Sequence, residues 1–106
     1  RSLQRNGRPD FLARLIEKYV ASSKEYVATI RRAVASRDAS ALWQAAHALK
    51  SSSGMMGASM FAELCRELEA LGRAAALDQA PEVLSKLEAS YLSVCAALEE
   101  EAGKGH

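Results

Sequence analysis

A histidine, a lysine and three serines lie close together in residues 46–58 and form the strongest candidate for chemistry in this chain. If residues 38–56 form a helix, Lys50 and Ser51 lie beside His47, because they follow it by three and four positions. A neutral imidazole, with an ordinary pKa of about 6.5, is a nucleophile, and an ammonium beside it can neutralise an attached phosphate. His47 is therefore a candidate phosphoryl carrier, and a solvated surface histidine remains the alternative.

The predicted helix has an apolar stripe that His47 avoids. At about 100° per residue, His47 lies roughly 150° from the centre of this stripe, so its side chain points toward solvent or a groove edge. Its neighbours Ala48, Ser51 and Gly54 are small, which allows another protein to approach His47 closely. The stripe recurs at spacings of three and four, as in a core-facing helix, and consists of Leu42, Ala45, Ala46, Leu49, Ser53 and Met56.

One pattern in this stretch goes beyond helix geometry. The order His-x-Leu-Lys-x-Ser-Ser-x-x-x-Gly-Ala begins at His47 and ends at Ala58, and it resembles the signature of histidine-containing phosphotransfer (Hpt) domains. The similarity continues through residues 63–73. The family usually has glycine where this chain has Ser51, and since serine is also small we expect docking to survive with tighter access to His47.

The resemblance implies a phosphorelay. His47 would accept a phosphoryl group from an aspartate of a receiver domain and pass it to an aspartate of a second receiver. Lys50 would neutralise the phosphate, and the receiver would bring Mg²⁺, so we expect no cofactor on this chain. The residues expected to form the docking surface are Trp43, Ser51, Gly54 and Arg73. For Trp43, an anchor for the partner and a cover for the bundle edge are equally plausible.

Glu69 is the acidic residue to which the resemblance gives a role. It lies roughly 80–90° from the centre of the stripe of its helix, at the groove edge, with Arg66 and Arg73 on the same side. Without the resemblance these charges would be a solvated face with weak ion pairs. The family places Glu or Gln here, hydrogen-bonded to the imidazole nitrogen that is not phosphorylated, and Arg73 matches a basic family position.

The whole chain is predicted to be all-α, an antiparallel up-down four-helix bundle. The expected helices span residues 9–36, 38–56, 59–76 and 78–102, with a turn at Asn6-Gly7 and Asp38 or Ser40 as an N-cap. Ser59 is a possible cap of the third helix, and Met55 and Met56 are expected to fill core gaps. We predict one domain, 1–106, whose bundle covers about 9–102 and whose ends, 1–8 and 103–106 with an inert His106, are flexible.

Composition excludes several classes of function. Hydrophobic residues make up 49% of the chain, and 14 basic residues nearly balance 13 acidic ones, so neither disorder nor nucleic-acid binding is indicated. No apolar run approaches the roughly 18 residues of a membrane span. Cys65 and Cys95 lie in apolar stripes and are expected to be reduced thiols, with a disulfide between their helices as the alternative. We expect a cytoplasmic monomer. The start at Arg1 favours a domain of a hybrid sensor histidine kinase.

Enzymatic activity of its own is not expected, because the chain has no phosphate-binding glycine loop and no kinase-type nucleotide site. Metal binding by His47 is not expected either, since Lys50 and Ser51 are not ligands. Three alternatives stay open. The chain could be a helical adaptor that is never phosphorylated, the dimerising domain of a histidine kinase, or a chemotaxis-type Hpt domain phosphorylated directly by an ATP-binding domain. In the dimerising domain Glu or Asp usually follows the histidine, whereas here Ala48 does.

Overall fold

Four α-helices make up the protein in a computed structural model, which describes the backbone of residues 3–104 and the side chains of residues 11–102. Short connections join consecutive helices, so neighbours run antiparallel and one chain completes an up-down bundle. This confirms the predicted fold class. The helices are α1 (Leu3–Ser36), α2 (Ala39–Met55), α3 (Ser59–Arg73) and α4 (Ala80–Lys104), and a 3₁₀ turn, Leu77–Gln79, precedes α4.

The start of α2 follows the predicted capping chemistry. The side chain of Asp38 accepts a hydrogen bond from the backbone N–H of Ala41 at 3.1 Å, which satisfies one of the free donors at the helix start. At the other end Gly57 adopts a left-handed φ of 80°, and its N–H donates to Gly54 O at 3.1 Å. The helix that carries His47 is therefore closed at both ends by local interactions.

Three predicted boundaries were wrong. No turn forms at Asn6-Gly7, because α1 already begins at Leu3 and runs through them; both are weak helix formers, but neither forbids a helix. Ser59 is the first residue of α3 and not its N-cap. The N-cap is Ala58, whose side chain makes no capping hydrogen bond. The predicted end of the third helix at residue 76 was also wrong. α3 ends at Arg73, since Ala75 has a left-handed φ of 54° and redirects the chain. Arg1, Ser2, Gly105 and His106, and with them the predicted inert role of His106, lie outside the described residues.

The core forms where the apolar stripes meet. Phe61 of α3 and Tyr91 of α4 pack with ring centroids 5.6 Å apart. Leu12 and Leu15 of α1 are more than a third exposed, because α1 is twice as long as α2 and extends beyond it. The largest fully buried apolar side chains are Phe61, Ile30, Leu42, Leu49, Leu68 and Leu87.

Two hydroxyl pairs cross this core. The Tyr19 hydroxyl lies 2.6 Å from Ser53 Oγ and joins α1 to α2, and Ser23 Oγ lies 2.7 Å from the Tyr91 hydroxyl and joins α1 to α4. Burial raises the pKa of Tyr91 to about 12 and also raises that of Tyr19, so both stay protonated. Ser23 is therefore a buried polar contact in the middle of α1.

Two further predictions concern sulfur-containing residues. Met55 was expected to fill the core, but it is 87% exposed, because it falls between the stripe positions of α2; Met56 is half-buried. Cys65 is buried and Cys95 half-buried, and both are free thiols. Burial raises the pKa of the Cys65 thiol to about 12, which makes it unreactive.

Across residues 3–104, none of the helices is long and apolar enough to cross a membrane.

Candidate functional site

His47 lies in the middle of α2 on the surface of the bundle. Its side chain is 51% exposed, which agrees with the predicted outward orientation. The residues beside it in the stripe, Ala46 and Leu49, are completely buried. They fix the backbone of α2 against the core, so the imidazole stands on a rigid support and still reaches solvent.

Glu69 of α3 faces His47 across the groove between the two helices. Its carboxylate oxygen Oε2 lies 3.0 Å from His47 Nδ1. The Glu69 side chain is only 9% exposed, so it lies deeper than the groove edge predicted from its helical angle. A buried carboxylate needs partners, because an unpaired charge away from water is costly.

Two cations supply these partners. Lys50 Nζ lies 2.8 Å from Glu69 Oε1, and Arg73 Nε donates to Oε2 at 3.1 Å. Chiefly through Lys50, and then through Arg73 and His47, the pKa of Glu69 falls from its ordinary 4.5 to about 2, although burial opposes the shift. Arg66, predicted on the same side, instead pairs with Glu63 at 2.7 Å. Glu69 is therefore a carboxylate at every physiological pH.

The ionised carboxylate decides the tautomer of a neutral His47. A carboxylate can only accept, so Nδ1 must carry the proton and donate it to Glu69 Oε2. The lone pair of the ring then lies on Nε2, and this is the nitrogen that can act as a nucleophile. Lys50 and Arg73 carry two positive charges and Glu69 carries one negative charge, so with neutral His47 the four side chains have a net charge of +1. This positive charge favours the approach of a phosphoryl group.

Trp43 and Arg73 form a second contact between α2 and α3. The Arg73 guanidinium carbon lies 4.0 Å from the centroid of the indole ring, in a cation–π arrangement. Trp43 precedes His47 by one turn, and Arg73 follows Glu69 by one turn of the antiparallel helix. The pairs His47–Glu69 and Trp43–Arg73 therefore lie one helical turn apart along the groove between α2 and α3. Arg73 connects the two pairs, since it contacts Trp43 and Glu69.

The two small residues predicted beside His47 are open. Ser51 and Gly54 are both exposed, and a Cβ added at Gly54 would meet no atom within 4 Å. Both lie on the His47 side of α2, four and seven residues further along. This face leaves room for a protein that approaches the imidazole.

Comparisons with known proteins agree with this geometry. Residues 14–101 match the Hpt domain family, and this span holds every site residue described above. The chain belongs to the Hpt domain family. It is also similar to the crystal structure of histidine-containing phosphotransfer protein B (HptB) from Pseudomonas aeruginosa PAO1, with 30% sequence identity, a TM-score of 0.84, and coverage of 87% of this chain and 80% of that chain. A search of curated proteins gave no match.

Membership of this family gives the domain its general role. Hpt domains are phosphocarriers in phosphorelays rather than catalysts, and they interact with receiver domains or response regulators. In the part of the Hpt domain that the structure describes, no group of three or more His, Cys, Asp and Glu side chains could hold a metal ion.

Sequence reasoning missed one residue that positions the site of this Hpt domain. Gly72 is buried in α3, and a Cβ there would lie 2.8 Å from both the Cβ and the backbone N of Trp43 and 3.0 Å from Ala39 O. Only glycine allows α2 and α3 to come this close. The available signal was a glycine within the helix predicted over residues 59–76, because glycine inside a helix is unfavourable by about 1 kcal/mol.

Proposed function

We propose that this Hpt domain is an intermediate of a multistep phosphorelay and that His47 is its phosphoacceptor. In this proposal His47 takes a phosphoryl group from an aspartate of a receiver domain of a hybrid sensor kinase. It then passes the group to an aspartate of a response regulator. The observation that carries the proposal is the exposed His47 imidazole held by a buried, ionised Glu69 at 3.0 Å.

The first step is a displacement at phosphorus. The lone pair of His47 Nε2 attacks the phosphorus of the aspartyl phosphate, the N–P bond forms, and the bond from phosphorus to the aspartate oxygen breaks. The aspartate leaves as a carboxylate with that electron pair. The ring becomes a phosphorylated imidazolium whose Nδ1–H still donates to Glu69, so the carboxylate stabilises the positive charge that develops. The second step is the reverse, with another receiver as acceptor.

The residues around His47 have distinct tasks in this proposal. Glu69 orients the ring and fixes its tautomer. Lys50, 32% exposed at its side chain and held 2.8 Å from Glu69, lies close enough to neutralise phosphoryl oxygens when the group arrives. The exposed face at Ser51 and Gly54 receives the receiver domain, which supplies Mg²⁺. Transfer of this kind depends on in-line positioning and on charge neutralisation more than on covalent work by the scaffold.

The test is transfer from a receiver domain that has been phosphorylated in advance. We expect label on the wild-type protein that is labile in acid and stable in base, as a phosphohistidine is, and no label on His47→Gln. Circular dichroism and thermal unfolding serve as controls, and since His47 is exposed, His47→Gln should fold like wild type.

Two results would oppose the proposal. Equal label on wild type and His47→Gln would place the phosphoryl group elsewhere. A folded wild type that takes no label from several receivers, and yet binds them, would favour a helical adaptor that is never phosphorylated.

A further inference from the structure

Trp43 lies one turn before His47 on α2 and is linked to it through two residues of α3, Arg73 and Glu69. Trp43 contacts the Arg73 guanidinium at 4.0 Å, Arg73 Nε donates to Glu69 Oε2 at 3.1 Å, and the same oxygen accepts from His47 Nδ1 at 3.0 Å. The two links that involve Arg73 depend on the orientation of its guanidinium, which is planar and has its donors fixed in a fork.

We propose that Trp43 is a positioning residue for phosphoryl transfer, which holds Arg73 flat against its ring so that Arg73 in turn holds the Glu69 carboxylate in the orientation that binds His47 Nδ1. This inference rests on the proposed function of His47. It gives Trp43 a role within the domain, where the sequence had suggested an anchor for the partner or a cover for the bundle edge.

The exposure of Arg73 explains why it needs such a support. Its side chain is 53% exposed, and an exposed arginine samples many rotamers, so an isolated i, i+4 ion pair with Glu69 would be weak. The indole ring lies under the guanidinium carbon at 4.0 Å and reduces the number of rotamers open to Arg73. Glu69, in contrast, is only 9% exposed, so its carboxylate depends mainly on protein donors, and the position of Arg73 decides how the carboxylate oxygen Oε2 is shared.

The atoms of Trp43 that lie nearest to Gly72 do not belong to its ring. Trp43 meets Gly72 through its Cβ and backbone N, which every residue except glycine retains. Trp43→Leu removes the aromatic face and keeps an apolar side chain, and Trp43→Phe keeps a smaller face. Arg73→Lys keeps the charge and loses the planar fork, and Arg73→Gln loses the charge. Val94→Ala, a half-buried apolar truncation on α4, controls for a general loss of packing.

The first measurement is the tautomer of His47 by ¹⁵N NMR of the imidazole nitrogens, with His47→Gln to assign the signals of the two histidines. We expect Nδ1–H in wild type and a mixture of tautomers in Trp43→Leu, Arg73→Lys and Arg73→Gln. Trp43→Phe should lie between wild type and Trp43→Leu, and Val94→Ala should match wild type. This measurement needs no receiver, so it decides the proposal even where phosphoryl transfer fails.

The second measurement is the rate of transfer from a phosphorylated receiver domain at several receiver concentrations. Trp43→Leu should lower the transfer rate constant at saturating receiver by about twofold to fivefold, the range that a cation–π contact implies, and leave unchanged the receiver concentration that gives half of this rate. Because Trp43 acts through Arg73, the Trp43→Leu, Arg73→Gln double variant should be no slower than Arg73→Gln alone.

Three results would overturn the inference. The first is a wild-type tautomer in Trp43→Leu. The second is a higher half-saturating receiver concentration with an unchanged maximal transfer rate constant, since Trp43 would then contact the receiver. The third is a double variant whose losses multiply, since Trp43 and Arg73 would then act independently. Absence of label on wild type itself would oppose the function proposed for His47, and it would leave the tautomer comparison to decide the role of Trp43.

Discussion

The close approach of α2 and α3 at Gly72 predicts that Gly72→Ala damages both the fold and the site. The new Cβ would lie 2.8 Å from two atoms of Trp43, and one of them is backbone, so the helices must move apart by roughly 0.7 Å to reach an ordinary contact. Alanine favours the helix by about 1 kcal/mol, whereas overpacking costs about 1–3 kcal/mol. With the shifted backbone added, we expect a net loss of about 1–2 kcal/mol in the free energy of unfolding.

The same displacement reaches the site, which lies one turn away. Added to the 3.0 Å between His47 Nδ1 and Glu69 Oε2, it gives about 3.7 Å, beyond the range of a hydrogen bond. We expect the Nδ1–H preference of His47 to be lost and phosphoryl transfer to slow about tenfold, the lower range for a hydrogen bond to a charged group.

Urea unfolding and ¹⁵N NMR measure these two effects, and Gly54→Ala is a matched control. It makes the same change in α2 where a Cβ meets nothing within 4 Å, so it should stabilise the protein by about 0.5–1 kcal/mol. Opposite signs for the two substitutions are the expected result. A Gly72→Ala protein as stable as wild type, with the wild-type tautomer, would refute the argument from close approach.

Three further predictions concern the same half of the bundle. Lys50→Ala should raise the pKa of Glu69, destabilise the protein by about 1–2 kcal/mol in urea unfolding and slow transfer, because Lys50 is the main cause of the low pKa; unchanged kinetics would remove Lys50 from the site. Since the pKa of Glu69 is lowered on folding, the ionised carboxylate stabilises the folded state fully above pH 4.5, and this stabilisation is lost as the pH falls toward 2. Unfolding measured against pH should show wild type losing about 3 kcal/mol more than Glu69→Gln over this range, and parallel curves would contradict the ion-pair assignment. Gly57→Ala should cost about 1 kcal/mol in urea, because Gly57 has φ of 80°, and a neutral effect would mean that the turn relaxes.

The sequence predicted the faces of the helices well and their relative register poorly. The spacing of Leu42, Ala46 and Leu49 fixed which side of α2 is buried, and so correctly turned His47 outward. Such a stripe gives the rotation of one helix about its axis. It does not say how far a neighbour is shifted along that axis, and the pairing of Trp43 with Arg73 depends on this shift.

The outcome at Glu69 shows the same limit. The helical angle of Glu69 placed it at a groove edge, but the buried depth of its carboxylate depends on how near α2 comes, and this is set by Gly72. Its proximity to His47 was expected from the family resemblance and not from the spacing. Met55 illustrates the opposite error, since its apolar character suggested burial although its angle on α2 lies off the stripe.

The arrangement of donors around Glu69 separates the stability of the site from its geometry. Among the side chains of residues 11–102, Lys50 is the ion-pair partner at Oε1, while Arg73 and His47 share Oε2. A lysine ammonium rotates freely and binds as a point charge, so Lys50 keeps the carboxylate ionised without dictating its plane. Arg73 is directional, and Trp43 fixes that direction. Lys50 therefore supplies mainly charge, and Arg73 with Trp43 supplies mainly orientation, and this division explains how an exposed histidine can be held by a buried carboxylate while its reactive nitrogen stays free.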